Sequence, residues 1–498
     1  MVMHKSGMVC LGATMLALLA SCTSRTSSTP AASVKDGAPD GSIEASVASN
    51  ATPPDPTPKA AAKKEATKEE LVAYLKAHVP KGGSVEDSAE GPKIFHTVQA
   101  GDSIPAVAQA YLDLTEIYFV SQLTYAIGRK GGFNPGAKIE IPKALTRMPR
   151  DPKEERLGWP EDKALRGVFS TGSYASVKWD DLVDKVAEHG LNAIVLDGKD
   201  YDGYVNYPSK AKVAVETGAN RPNNIPDLAR AIRFAHWKGV RVIVRIPCFH
   251  DPWADKHTKD GRLSIKFTPT NKPIHVDWID PTNKEAQDYA LELAQEALDA
   301  GADEIQLDYV RFPVHLSHKV AVLPQKEERS AIMRDFVKRA RTITKAANAH
   351  LSLDFFGVAA TGIPDDIQRL GQHIPTVAPE ADAISLMAYP SHYTNGYMGF
   401  ANPADHAEIV AIGNKAALEQ LAPTGAKTIF RTWLQAFPDK VTHYGSEYVG
   451  AQAKHAEASG GVGWLMWSPG CEYGAVWGAF QKKKPAAPAP AASAPDKK

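Results

Sequence analysis

From Leu165 onward the chain alternates eight short apolar runs with seven amphipathic stretches, and this alternation limits its fold more than any other feature. The apolar runs are RGVFS (166–170), NAIVLD (192–197), VRVIVRI (240–246), DEIQLDY (303–309), LSLDFF (351–356), DAISLMAY (382–389), KTIFRTWL (427–434) and GVGWLMW (461–467). Each has the length of a strand and is rich in β-branched or aromatic residues. The stretches between them, near 177–189, 226–238, 284–300, 326–347, 365–374, 403–421 and 446–459, carry helical periodicity, and Asp or Pro opens several of them. Such alternation requires a parallel sheet, either closed or doubly wound. A doubly wound dinucleotide-binding sheet needs a glycine-rich phosphate turn after its first strand, and FSTGSYAS is not one. The expected fold is therefore α/β, a (β/α)8 TIM barrel over 165–480, preceded by a small N-terminal βααβ domain.

The flanking regions read as an address and two tethers. His4 and Lys5 precede an apolar run from Met8 to Leu19, which is too short to span a bilayer and has the form of a signal peptide. Leu19-Ala20-Ser21-Cys22 resembles a bacterial lipobox, so Cys22 is expected to carry lipid. Thr23 after it, in place of Asp, favours the outer membrane, facing the periplasm. Residues 23–93 are rich in Ala, Pro and Ser and read as a disordered tether, with one short helix over 68–79; residues 481–498 are a low-complexity tail. Acidic and basic residues are equal at 57 each, which argues against a nucleic-acid partner. Cys248 and Cys471 fall after different strands on separate sides of a barrel, and no disulfide is expected between them. No Cys/His spacing suits zinc, so neither metal nor cofactor is expected.

Residues 94–143 form a separate compact pattern: strand IFHTVQ, a GDS turn, a helix from Ile104 to Tyr111, a helix from Thr115 to Leu123 and strand KIEIP. This unit resembles a LysM domain at His96-Thr97-Val98, Gly101-Asp102-Ser103, Ile104, Ala108, Tyr111 and the closing NPGAKIEIP. The resemblance implies binding of N-acetylglucosamine-containing glycans such as peptidoglycan. The groove would lie between Gly101, Asp102, Ser103 and Ile104 on one side and residues 127–135 on the other. AIGRKGGF departs from the family by lacking an asparagine after the second helix. A unit that only packs or mediates assembly is the alternative.

In a barrel, residues at the carboxyl ends of the strands converge on one mouth. Glu304, Gln306 and Asp308 alternate with Ile305, Leu307 and Tyr309, so one face of the fourth strand is a polar row ending in an aspartate, with Arg311 just beyond. The other strand ends supply Asp197, Lys199 and Asp200, then Arg245, Asp354, Tyr389 and His392. They continue with Arg431, Trp433 and Gln435, and finally Trp467 with Glu472 nearby. Taken singly, Asp197 or Arg245 reads as half of a buried ion pair, and the tryptophans read as core. Together they suit a sugar, whose C–H faces stack on rings while its hydroxyls bond to Asp, Arg and Gln.

The segments DGKDYDGYVNYPS, VRVIVRIPCFHDPWA, EIQLDYVRFP, LDFFG, ISLMAYPSHY, TIFRTWLQAF and WLMWSPGCEY, in this order, resemble the bacterial putative glycosyl hydrolase family whose hallmark is DYVRFP. The resemblance spans nearly all of 165–480 and implies a glycosidase barrel distantly akin to the α-amylase-like enzymes. RTWLQAF departs from it, with Ala436 where the family carries an aspartate. Kinship with amylase-like barrels places the nucleophile at Asp308, with Arg311 to hold it ionised. Asp354, on the next strand, is the first choice for the partner acid, and Asp200 and Glu472 are the alternatives. The expected substrate is a cell-wall or other polysaccharide. The competing class is a glycan-binding barrel that has lost its chemistry. A metal-dependent deacetylase fits poorly, because His250, His257 and His275 lack metal-ligand spacing.

Overall fold

The computed structural model describes residues 66–316 and 320–480. Cys22 and its lipobox, the Ala/Pro/Ser-rich stretch up to residue 65 and the tail over 481–498 lie outside the described residues.

The N-terminal unit contains a three-stranded antiparallel sheet of β1 (Gly83–Ser88), β2 (Gly91–Thr97) and β3 (Lys138–Ile141), in that order. Helices Ile104–Tyr111 and Val120–Gly128 lie between β2 and β3 in the chain. The first helix is where the sequence places it. The second starts later, because Thr115 bridges to Ala144 and bonds back to Leu112 O through its hydroxyl, which keeps the intervening residues extended. The unit also extends upstream of residue 94. Helix Lys68–His78 is capped reciprocally by Thr67 and Glu70, and its Leu71 and Leu75 join Ile94, Tyr111 and Leu123 in one core. GSVEDS has no apolar alternation and so does not read as a strand in the sequence; as β1 it is an edge whose side chains are mostly solvated. The unit is docked on the barrel: Tyr118 packs on Phe234 at 5.3 Å, Arg230 pairs with Asp113 at 2.8 Å and Gln122 donates to Asp180 at 2.5 Å.

The barrel is built from β4 (Leu165–Ser170), β5 (Ala193–Asp197), β6 (Arg241–Pro247), β7 (Glu304–Asp308), β8 (His350–Phe356), β9 (Ala383–Met387), β10 (Ile429–Phe430), β11 (Thr432–Gln435) and β12 (Gly463–Trp467). β10 and β11 are two pieces of one strand flanking Arg431, whose N–H donates to Ile384 O at 2.9 Å. Eight parallel strands thus form a ring that closes where β12 pairs with β4 and β8 with β9. Each strand lies within a residue or two of its expected place. Their buried outer faces meet helices such as Gly172–Glu188, Lys284–Asp299 and Lys326–Ala346. Among the described residues, no helix is long and apolar enough to cross a membrane.

Period-two alternation lines the barrel interior with polar side chains in layers. At the amino-terminal end, Glu304 takes Arg431 in a two-pronged pair at 3.0 and 3.2 Å, both side chains fully buried. Trp159, from the segment before β4, donates to Glu304 at 2.6 Å and stacks on His350 at 4.0 Å, plugging this end. The same segment is strapped down by Asp303, which accepts the N–H groups of Leu157 and Gly158 on one oxygen and bonds His236 and Val242 N with the other. Gly301, at φ +97°, lets the strap pass: a Cβ there would lie 2.6 Å from Pro152 O.

Glu304→Gln leaves a buried guanidinium without a counter-charge, and we expect it to cost about 3–5 kcal/mol of stability. Glu304→Leu with Arg431→Met should recover most of that loss. Urea unfolding of the three chains measures both effects, and a loss below about 1 kcal/mol for the single variant would refute a structural role for the pair.

Candidate functional site

At the carboxyl end of the strands, Arg245 of β6 gathers three carboxyl groups. Its Nη1 donates to Asp197 Oδ1 at 2.6 Å, and its Nη2 and Nε donate to Asp308 Oδ2 at 2.6 and 3.2 Å. Asp354 Oδ2 lies 3.6 Å from the same Nε. Register produces this grouping: Asp197 faces Arg245 across β5 and β6, Pro247 faces Asp308 across β6 and β7, and alternation turns Asp354 inward on β8. Because Asp308 and Asp354 both approach Arg245 Nε, their nearest oxygens are at most about 7 Å apart, compatible with the carboxyl pair of a glycosidase. Asp308 also accepts the N–H of Tyr309 at 2.5 Å, and Tyr309 itself turns into the left-handed region at φ +52°.

One cation cannot balance three buried anions. Burial pushes Asp197 up to about 8, against the pull of Arg245. Burial and then the charge of Asp308 hold Asp354 well above the usual carboxylate range. Burial works against the charge of Arg245, yet Asp197, Asp308 and Asp354 keep it above its ordinary value. The cluster therefore retains a proton at neutral pH, and Asp354, the carboxyl farthest from Arg245, is its natural holder. Asp354 Oδ1 accepts Trp433 Nε1–H at 2.7 Å, while its Oδ2 has no hydrogen-bond donor. Above the cluster, Asp200 is half-buried on the loop after β5 and accepts one bond from Asn206 at 2.8 Å. Burial pushes it up to about 6.

Around the acids stand rings. Trp467 stacks on Phe169 at 4.1 Å and meets Trp433 edge-on at 5.7 Å, and Arg245 lies over Phe169 and Trp467 at 5.6 and 5.4 Å. Tyr389 is buried and feels the charges of Asp354 and Asp308, while His392 is exposed at the rim, 5.0 Å from Tyr389. On the opposite side His250 stacks on Tyr309 at 4.9 Å and meets Trp278 edge-on at 5.3 Å. Trp278 lies in the long connection between β6 and β7, away from the strand ends where sequence reasoning looked for site residues.

The structure thus brings Asp197, Asp200, Arg245, Asp308, Asp354, Tyr389, Trp433 and Trp467 together. It does not bring Lys199, Arg431 or Gln435 to the open mouth. Lys199 is 1% exposed and turns away to pair with Asp251 at 2.6 Å and donate to Pro247 O at 2.9 Å. Arg431 serves Glu304 at the far end of the barrel. The amide of Gln435 is spent on loop backbone, accepting from Ser391 N and donating to the carbonyls of Phe437 and Asp439. Arg311 does not hold Asp308; Arg245 does, and Arg311 lies instead against Phe356 and Trp278 at 4.2 and 4.6 Å. Glu472 is exposed, outside the carboxyl–arginine cluster. Cys248 and Cys471 are buried free thiols. Among the described residues, no group of three or more His, Cys, Asp or Glu side chains could hold a metal ion. In the N-terminal unit, Gly101 has φ +94°, Asp102 accepts from Gln99 N at 2.6 Å and bonds His96 at 2.8 Å, and Ser103 caps the helix that Ile104 begins.

No curated protein matches the chain. Among solved structures, it is similar to a hypothetical protein from Ruminiclostridium thermocellum, with 30% identity over 38% of this chain and 96% of that one at a TM-score of 0.33. It is also similar to the PgaB (BpsB) glycoside hydrolase domain from Bordetella bronchiseptica, with 14% identity over 64% and 100% of the two chains at a TM-score of 0.49. A third similarity is to the endo-beta-1,4-mannanase from Thermotoga petrophila, with 11% identity over 61% and 67% at a TM-score of 0.40. The model of one protein family, described as "Putative glycosyl hydrolase domain", matches residues 167–473. That match takes in every strand end of the barrel and the whole carboxyl–arginine cluster, and the chain belongs to this glycosyl hydrolase family.

Proposed function

We propose that the protein hydrolyses a polysaccharide of the cell envelope, with Asp308 as the reacting carboxylate and Asp200 as the proton donor. The observation that carries this reading is the crowding of three carboxyls on one guanidinium at the floor of an aromatic-walled mouth. Arg245 Nε, Arg245 Nη2 and the Tyr309 N–H all donate to the Asp308 side chain, which accepts three hydrogen bonds. Asp354 is 1% exposed and tied to Trp433, too enclosed to reach a leaving group. Asp200 is accessible and holds its proton to about 6, as a general acid working near neutrality should. Asp308 attacks the anomeric carbon while Asp200 protonates the departing glycosidic oxygen. Asp200 then takes a proton from water, which attacks the same carbon and frees Asp308.

The second reading is a barrel that binds glycan without cleaving it. It is favoured by the Arg245 bonds, which draw charge from Asp308 and make it a poorer nucleophile. We also propose that the N-terminal unit binds N-acetylglucosamine-containing glycan and that a lipid on Cys22 holds the chain at the outer membrane, facing the periplasm. Support for these two roles comes from the LysM-like and lipobox-like patterns of the sequence.

Asp308→Asn should lower hydrolysis by about a thousandfold or more while changing glycan binding less than about threefold. Reducing-end release and binding are measured on the same folded variant. If the unaltered chain binds peptidoglycan or glucan but releases no reducing ends, the binding reading stands instead. For Asp200 the sign is set by a raised value: the acid is protonated below about 6 and lost above it. We expect kcat/KM to fall about tenfold per pH unit above that point. Asp200→Asn should remove this limb and slow polysaccharide more than an activated aryl glycoside; an unchanged limb would exclude Asp200. In the N-terminal unit, Tyr125 is 71% exposed and one turn before Gly128, which lies beside Ile104. Tyr125→Ala in the full chain should weaken pull-down by insoluble peptidoglycan about five- to tenfold. Undiminished pull-down would remove the aromatic contact from the groove.

A further inference from the structure

Among the described residues, Arg311 is a cation without a counter-ion. It is 7% exposed, and its guanidinium lies over three rings, those of Phe356 at 4.2 Å, Trp278 at 4.6 Å and Tyr309 at 5.2 Å. Among the described residues its one hydrogen bond runs from Nη1 to Phe312 O at 3.2 Å, and no carboxylate comes within ion-pair distance. Asp308 is the acid whose field it feels, and the Oδ2 of that group already accepts both bonds from Arg245. Burial lowers Arg311 to about 10, so it stays charged at neutral pH. Its Nε and Nη2 groups donate to no protein partner among the described residues, and they are not shut away from solvent as Arg431 Nε is. Those two N–H groups form the edge of a guanidinium that matches both oxygens of a carboxylate. The three rings pack around the guanidinium and restrict its movement before any ligand arrives.

His250 completes the arrangement. It shares two of the same rings, lying 4.9 Å from Tyr309 and 5.3 Å from Trp278. Its Nδ1 is 2.7 Å from Tyr201 O, and since a carbonyl can only accept, Nδ1 carries the hydrogen. Burial keeps the ring neutral by lowering its ordinary value, so Nε2 is left as a bare acceptor suited to a sugar hydroxyl.

We propose that Arg311 and His250 form a subsite for an acidic sugar, with the carboxylate on Arg311 Nε and Nη2 and a ring hydroxyl on His250 Nε2. This inference rests on reading the mouth as a sugar site. It goes further by assigning the class of substrate, a glycan with carboxylate-bearing residues. The carboxylate could belong to a uronic acid, on C5 of the ring, or to a lactyl ether, as in N-acetylmuramic acid.

The test uses the full chain and four probes: D-glucuronic acid, N-acetylmuramic acid and the uncharged methyl ester of each, titrated by calorimetry or ligand-observed NMR. At least one acid should bind about tenfold or more tightly than its own ester, the scale of one charge-assisted pair. The acid that does so identifies which carboxylate the subsite takes. Arg311→Met should erase the difference, and Arg311→Lys should keep only part of it. Equal binding of acid and ester, no binding of either acid at millimolar concentration, or a difference that survives Arg311→Met would each overturn the proposal. Should Arg311→Met fail to fold, the comparison of acid with ester on the unaltered chain decides alone. Asp308→Asn separates this inference from the catalytic reading, since it should preserve the preference for the acid whether or not the chain cleaves glycan.

Discussion

The site depends on the stoichiometry of charge around Arg245. A lone buried arginine and carboxylate balance each other and do nothing further, as Glu304 and Arg431 do at the other end of the barrel. Three carboxyls on one guanidinium cannot balance, and the imbalance forces a proton into the cluster. The two arginines have the same chemistry and comparable burial. The number of acids that strand register delivers to each makes one a brace and the other the centre of a reactive group.

This arrangement also explains why the two ends of the barrel are sealed so differently. The amino-terminal end is closed by Trp159 and by the strap that Asp303 holds, with Glu304 and Arg431 paired beneath them. The carboxyl-terminal end keeps Asp354 Oδ2 without a donor and half-buried rings facing the opening. An unmet bond inside a protein costs stability, and Arg431 Nε and His236 Nδ1 carry such a cost at the plugged end as Asp354 Oδ2 does at the open one.

The strands were legible in the sequence because period-two alternation and strand length are local properties. The inward direction of Asp308, Asp354 and Trp433 follows from the same alternation. Depth along the barrel axis was not legible. Arg431 lies only two residues before Trp433 and points into the same interior, but neighbouring strands set which layer it reaches, and it reaches Glu304. Lys199 was misplaced for a related reason: Asp251, which turns it away from the mouth, comes from a loop on another strand. β1 was missed because an edge strand with solvated side chains carries no apolar pattern to read. Asp197 and Arg245 each read as half of a buried ion pair when taken singly and as part of a sugar site when taken together; their pairing with each other comes from register. The two further carboxyls that change its character arrive through register, which a single strand does not encode.

The DYVRFP segment shows how one turn serves two purposes. Asp308 is the last residue of β7, and Tyr309 leaves the strand at once through the left-handed region. That reversal brings Tyr309 N–H onto Asp308 Oδ1, adding a donor to the carboxylate without any other side chain. A non-glycine residue held at positive φ is costly, so the surroundings must fix it. The ring of Tyr309 is held by His250, 4.9 Å away, and by Arg311, 5.2 Å away. Breaking the alternation here also frees Arg311 from the strand's inward and outward rows, so it can pack against both Phe356 and Trp278. Had β7 run on as a regular strand, Arg311 would have taken its place in that alternation. Instead the turn leaves Asp308 to Arg245 and sets beside it a second cation that has no ion-pair partner among the described residues.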